Sequence, residues 1–181
     1  RQGEIEDAER IIRQSYEYYK ERFRTRHSLQ AKAGVSLAKS LVDLGRLEEA
    51  EKIMTESAFI YEETCGADSP LTCSGYAELG KICLSRKKYH EARAALLRAY
   101  GIASRKDVLD LLELMTIHSD LTNAIMSDKN VTAETAGMLK LFYDCVPTVE
   151  AAVEIVERRL PQDGNAAAYY KSVAELYCVA G

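Results

Sequence analysis

The sequence predicts an all-α chain built from repeated pairs of antiparallel helices. Three observations carry that prediction. The first is a period: Ala8, Ala50 and Ala92 stand 42 residues apart inside the similar phrases GEIEDAERII, GRLEEAEKIM and KKYHEARAAL. The second is the spacing around those alanines. Ile5, Leu47 and Tyr89 precede them by three, Ile12, Met54 and Leu96 follow by four, and Ser15, Ser57 and Ala99 follow by seven. Offsets of three, four and seven trace one face of a helix. The third is punctuation. Gly3 and Gly45 stand five residues before their alanines, with Lys87 in that place in the third copy. Glycine suits a helix end, where a positive φ carries no Cβ penalty.

Nine helices follow, at about 4–25, 28–44, 47–65, 70–85, 89–104, 107–127, 131–145, 148–160 and 165–179. Arg1-Gln2-Gly3 reads as a turn directly before a second helix, so the chain reads as a fragment of a longer protein. Helices 28–44 and 47–65 form a complete pair. Leu37, Leu79 and Leu121 share a register, as do Leu41, Cys83 and Ile125. Ala50 against Ala38, and Ala92 against Gly80, are expected to let the paired backbones approach. At the joint YEETCGADSPLT (61–72), Gly66 ends one helix, Ser69 caps the next and Pro70 is its first residue. The later joint SRKDVLD (104–110) lacks that Gly-x-x-x-Pro form, and Glu134 stands where a fourth alanine would. After Pro147 the register is gone. Val149, Ala152, Val153 and Val156 still make a helical stripe that Pro161 ends, and a last amphipathic helix carries Tyr169, Tyr170 and Tyr177. The expectation is one domain over 1–181, with regular repeats at 3–127 and an irregular repeat or C-terminal cap at 128–181.

VSLAKSLVDLGRLEEAEKIM (35–54) and AELGKICLSRKKYHEARAAL (77–96) resemble the tetratricopeptide repeat. The usual repeat has about 34 residues. The 42-residue period and the Gly-x-x-x-Pro joint look like the long repeats of kinesin light chains. The helical C-terminal region of SET- and MYND-domain methyltransferases has similar long repeats. The resemblance implies a right-handed solenoid of helix pairs. It also implies a concave groove, lined by the first helix of each pair, that binds a peptide segment of a partner protein.

Composition narrows the function. With 181 residues, 47% apolar and 29% charged, the chain can bury a core. No run reaches the roughly 18 apolar residues of a membrane span. A net charge of -4 argues against general nucleic-acid binding. The basic stretch KERFRTRHSLQAK (20–32) reads either as a solvated helix end or as a docking patch for an acidic or phosphate group. Five cysteines, Cys65, Cys73, Cys83, Cys145 and Cys178, form no CxxC pair. They read as reduced structural thiols of a cytoplasmic or nuclear protein, without metal. His27, His90 and His118 are far apart, and no catalytic or phosphate-binding motif occurs. The expectation is therefore no catalytic residue, no cofactor and no enzyme activity.

The groove places implied by the resemblance are carried along the 42-residue register. They are Lys32, Val35, Ser36, Lys39, Val42 and Asp43; Ser74, Ala77, Glu78, Lys81, Leu84 and Ser85; and Thr116, Ser119, Asp120, Asn123, Met126 and Ser127. Of these, Lys32, Val35, Ser36, Lys39, Val42, Glu78, Lys81, Leu84, Asp120 and Asn123 are the candidate peptide-binding residues. Two ladders stand out, Lys39–Lys81–Asn123 and Ser36–Glu78–Asp120. Kinesin light chains often carry asparagines here, and chaperone-binding relatives use a clamp of lysines and asparagines; this chain has only Asn123. Two readings of the ladders stay open. Either the lysines meet a partly acidic segment, or the ladders neutralise one another, Lys39 with Glu78 for example. Two other functions are also open: helical support of a larger enzyme, and a self-association surface.

Overall fold

The computed structural model of the chain describes residues 2–23, 25–103 and 111–127. Those residues form six helices: α1 (Gln2–Arg22), α2 (Ser28–Asp43), α3 (Leu47–Cys65), α4 (Pro70–Ser85), α5 (Tyr89–Ala103) and α6 (Leu111–Ser127). The helices expected at 131–145, 148–160 and 165–179 lie outside the described residues. The chain divides into two compact units, Arg1–Leu121 and Thr122–Gly181. The first unit holds α1 to α5 and most of α6. In the second, the described residues are the end of α6, where Ala124 and Ile125 are buried.

In the first unit, neighbouring helices pack in chain order, α1 on α2, α2 on α3, α3 on α4 and α4 on α5. The short turns explain this order, because they return each second helix along its first. After α2, Arg46 N–H bonds to Leu41 C=O at 2.8 Å and Gly45 N–H to Val42 C=O at 2.9 Å. Gly45 holds φ 74°, the left-handed conformation this helix end requires. The same turn recurs after α4, with Lys88 N–H to Cys83 C=O and Lys87 N–H to Leu84 C=O, both 2.9 Å. There the left-handed residue is Lys87, at φ 60°. The joint before α4 is built as its sequence suggests. Gly66 has φ 95°, Ser69 Oγ accepts from Leu71 N–H, and Pro70 is the first helical residue.

Two expectations fail locally. Gly3 is not in a turn; it lies within α1, because the helix begins at Gln2. α1 also ends at Arg22 rather than 25, and His27 then caps α2 by accepting from Leu29 N–H. The close approaches differ as well. Ala38 and Ala50 are both wholly buried in one cluster with Tyr16, Leu37, Leu41, Met54 and Ile82. Gly80, however, lies against the Leu96 side chain rather than Ala92, and Gly34 of α2 leaves no room for a Cβ against Ser57 of α3. Burying side chains such as Leu37, Leu41, Met54, Ile60 and Leu96 contributes about 1.5–3 kcal/mol each. No described helix is long and apolar enough to cross a membrane.

Candidate functional site

The first helices α2, α4 and α6 carry the candidate site. In α2 the buried positions are Gln30, Ala31, Gly34, Leu37, Ala38 and Leu41. This leaves Lys32, Ser36, Lys39 and Asp43 on the exposed stripe. Val35 and Val42 sit half-buried between the two, packed on the core. Leu84 of α4 is half-buried as well. Ala77 is not a groove residue: it is only 4% exposed. Val35 reaches the surface from the same register, and the shorter alanine does not.

Glu78 is the centre of the site. Its Oε1 is 3.4 Å from Lys39 Nζ on α2 and 3.3 Å from Lys81 Nζ on its own helix. The lysine ladder is therefore neutralised in part by the acidic one. Lys39 remains 55% exposed and Lys81 39%, so each ion pair is worth only about 0.2–1 kcal/mol. Asp120 of α6 lies within electrostatic reach of both charges on α4. Burial raises its carboxyl above the ordinary value, Lys81 pulls it down and Glu78 pushes it up again. Asp120 Oδ2 is buried and has no hydrogen-bond partner. Such an acceptor is costly until a donor reaches it. The hydroxyls of the stripe are satisfied locally, Ser36 on Lys32 C=O and Ser85 on Lys81 C=O.

The structure thus brings Lys39, Glu78, Lys81 and Asp120 together. Lys32 and Ser36 sit apart from this group, about two turns and one turn nearer the start of α2 than Lys39. Asn123 belongs to the second unit, where its Oδ1 accepts from the Ser127 hydroxyl at 3.1 Å. The side chain of Met126 lies outside the described residues.

A second polar group escaped the ladder argument. Glu62 of α3 accepts from the Tyr76 hydroxyl at 2.7 Å and from the Arg98 guanidinium, which lies 4.6 Å from the Tyr76 ring centre. In the basic stretch, Arg26 pairs with Glu63 at 2.7 Å and covers the Phe59 ring. A signal for these pairs exists. Arg26–Glu63, Glu9–Arg46 and Glu51–Lys88 are each 37 residues apart, five short of the period. A search along equal registers passes over them.

Cys73 and Cys83 are buried free thiols. Burial, with the charge of Glu113, raises Cys73 to about 11, and its Sγ donates to Ala99 C=O. Burial, with the charge of Glu51, raises Cys83 to about 11. Both are thiols at neutral pH, not nucleophilic thiolates. No group of three or more His, Cys, Asp or Glu suited to a metal ion occurs among the described residues.

Residues 29–105 match the family model described as tetratricopeptide repeat. No curated protein matches the chain. A candidate kinesin light chain of Podosopora anserina, with nearly identical TPR-like repeats, superposes with a TM-score of 0.72 at 18% identity, over 97% of this chain and 79% of that one. A substituted form of that protein gives 0.74 at 18% identity, over 97% and 78%. BtubC (BKLC) from P. vanneervenii gives 0.70 at 18% identity, over 89% of this chain and 61% of that one.

Proposed function

We propose that the chain, whose residues 29–105 match the tetratricopeptide repeat model and whose fold is that of kinesin light chain TPR-like repeats, is a scaffold that binds a peptide segment of a partner along α2, α4 and α6. Repeats of this family generally mediate protein–protein interaction, and the fold is typically a non-catalytic scaffold. The observation that carries the reading is the polar strip Lys39–Glu78–Lys81–Asp120, drawn from three first helices and bordered by half-buried Val42 and Leu84. Its formal charges sum to zero, two lysines against two carboxylates. This favours a segment of mixed polarity over a strongly acidic one. The exposed ammonium groups of Lys39 and Lys81 supply donors for carbonyls or carboxylates of a bound segment. Apolar contacts from Val42 and Leu84 must add to them, since exposed ion pairs alone are weak. The finer reading, in the first unit a right-handed solenoid whose concave groove includes Lys32, Val35 and Ser36, belongs to the same proposal.

The test is selection of peptides on the chain from a display library, followed by fluorescence polarisation. Lys39→Glu with Lys81→Glu should lower affinity and alter its salt dependence. Unchanged binding and salt dependence would place the selected peptides elsewhere and defeat this reading.

A further inference from the structure

The 42-residue register lets each second helix be compared position by position. In α3 one face is Ala50, Ile53, Ser57 and Ile60. Ala50, Ser57 and Ile60 are wholly buried, and the Gly34 backbone of α2 lies directly on Ser57 and Ile53. The matching face of α5 is buried too, with Ala92 and Ala99 at 0% exposure. In α1 the same register holds Ala8, Ile11, Ser15 and Tyr18, and all four are exposed, Ile11 by 60% and Tyr18 by 59%. Three of the four residues are identical to those of α3. Ile11, Ser15 and Tyr18 of this face line a shallow groove together with Gln14 and Tyr19. The opposite side of α1 is packed. Tyr16 is 3% exposed, lies against Gly34 of α2, and donates its hydroxyl to Glu56 of α3 at 2.9 Å. α1 therefore stands to α2 as α3 stands to α4. Its open face continues the series of interfaces that seat α2 on α3 and α4 on α5.

We propose that this face of α1 is a docking site for a helix of α2's pattern, an amphipathic helix lying antiparallel to α1. The chemistry of the partner follows from the copies. A Cβ on Gly34 would collide with the Ser57 hydroxyl, so the docked helix must present glycine over Ser15. Tyr18 stands where α3 has Ile60, which clusters with Ala31 of α2. The larger ring requires a residue no bigger than alanine opposite it. The Ser15 hydroxyl is spent on Ile11 C=O, as that of Ser57 is on Ile53 C=O. Recognition is therefore by shape and apolar contact. This site is separate from the strip on α2, α4 and α6.

The probe is a labelled peptide of residues 28–44, SLQAKAGVSLAKSLVDL, titrated with the chain and followed by fluorescence polarisation. Saturable binding is expected, weakened by about tenfold or more in the Ile11→Asp with Tyr18→Asp variant. Circular dichroism should not change, because both side chains are exposed. A short isolated helix is only marginally formed in water. A second arm therefore fuses the same segment ahead of Arg1 through a Leu-Gly-Arg turn and measures the thermal midpoint. The midpoint should rise, and the rise should vanish with the two aspartates. Three results overturn the proposal. One is no rise together with no saturable binding below about 1 mM. Another is equal binding by a peptide with leucine at the position of Gly34. The third is a chain that dimerises alone through this face and ignores the peptide, which would assign the face to a second copy.

Discussion

α1 and α3 carry nearly the same side chains in the same register and sit in different surroundings. On one face the residues are Ala8, Ile11 and Ser15 in α1, and Ala50, Ile53 and Ser57 in α3; the first set is exposed and the second is largely buried. On the neighbouring polar edge the helices agree. Glu9 pairs with Arg46 at 3.3 Å, and Glu51 with Lys88 at 2.8 Å, each joining a helix to the turn of the following pair. One side of the repeat thus behaves alike in both copies, and the other depends on whether a first helix lies on it. An alanine at a fixed register position is not in itself a core residue. Its neighbour makes it one.

Substitutions in matched pairs test that comparison. The largest effect is expected for Ile60→Ala, which empties a fully buried site and should cost about 2–5 kcal/mol in a denaturant melt. Tyr18→Ala, in the same register, should cost under about 1 kcal/mol, chiefly through the lost edge contact with Tyr19. Equal losses would mean that α1 is covered after all. Next, Ala50→Leu should overpack the α2–α3 interface and cost about 1–3 kcal/mol, whereas Ala8→Leu should stay within about 0.5 kcal/mol.

The smallest effect sharpens the shared edge. Glu9→Gln and Glu51→Gln should each cost about 1 kcal/mol at neutral pH. Glu51 also sets a pH dependence. Burial alone would raise its carboxyl, but hydrogen bonds and charge from Lys88 and Arg86 outweigh it and hold the group below the usual carboxylate range. The folded value lies below the unfolded one. Its stabilisation is therefore complete above the ordinary glutamate range and is lost as pH falls through the folded value. Thermal melts from neutral to acid pH should show the Glu51→Gln variant losing less stability than the parent chain.

Much of this arrangement is legible in the sequence. The period sets the helix bounds of α2 to α5 to within a residue, and Gly45, Gly66, Ser69 and Pro70 mark their ends. What escapes is what the register conceals. Gly34 packs against Ser57 of α3 with no room for a Cβ, but Tyr76 and His118 share its register position, so no small-residue pattern appears. The pairing of Gly80 with Leu96 depends on the offset between two helices, which a period does not contain. Lys39 with Glu78 could be foreseen as a pair. Choosing it over two free lysines required the distance between α2 and α4, and that is a property of the packed helices.

The two helix turns also differ in how readily they should open. Gly45 occupies a left-handed conformation without penalty, whereas Lys87 holds φ 60° with a Cβ, at a cost of about 1–2 kcal/mol. The same pair of backbone hydrogen bonds closes both turns. In native-state amide exchange, the Lys88 proton should therefore lose its label before the Arg46 proton does. A lysine where the earlier copies have glycine thus gives the molecule an order of local opening, with the α4–α5 turn loosening first.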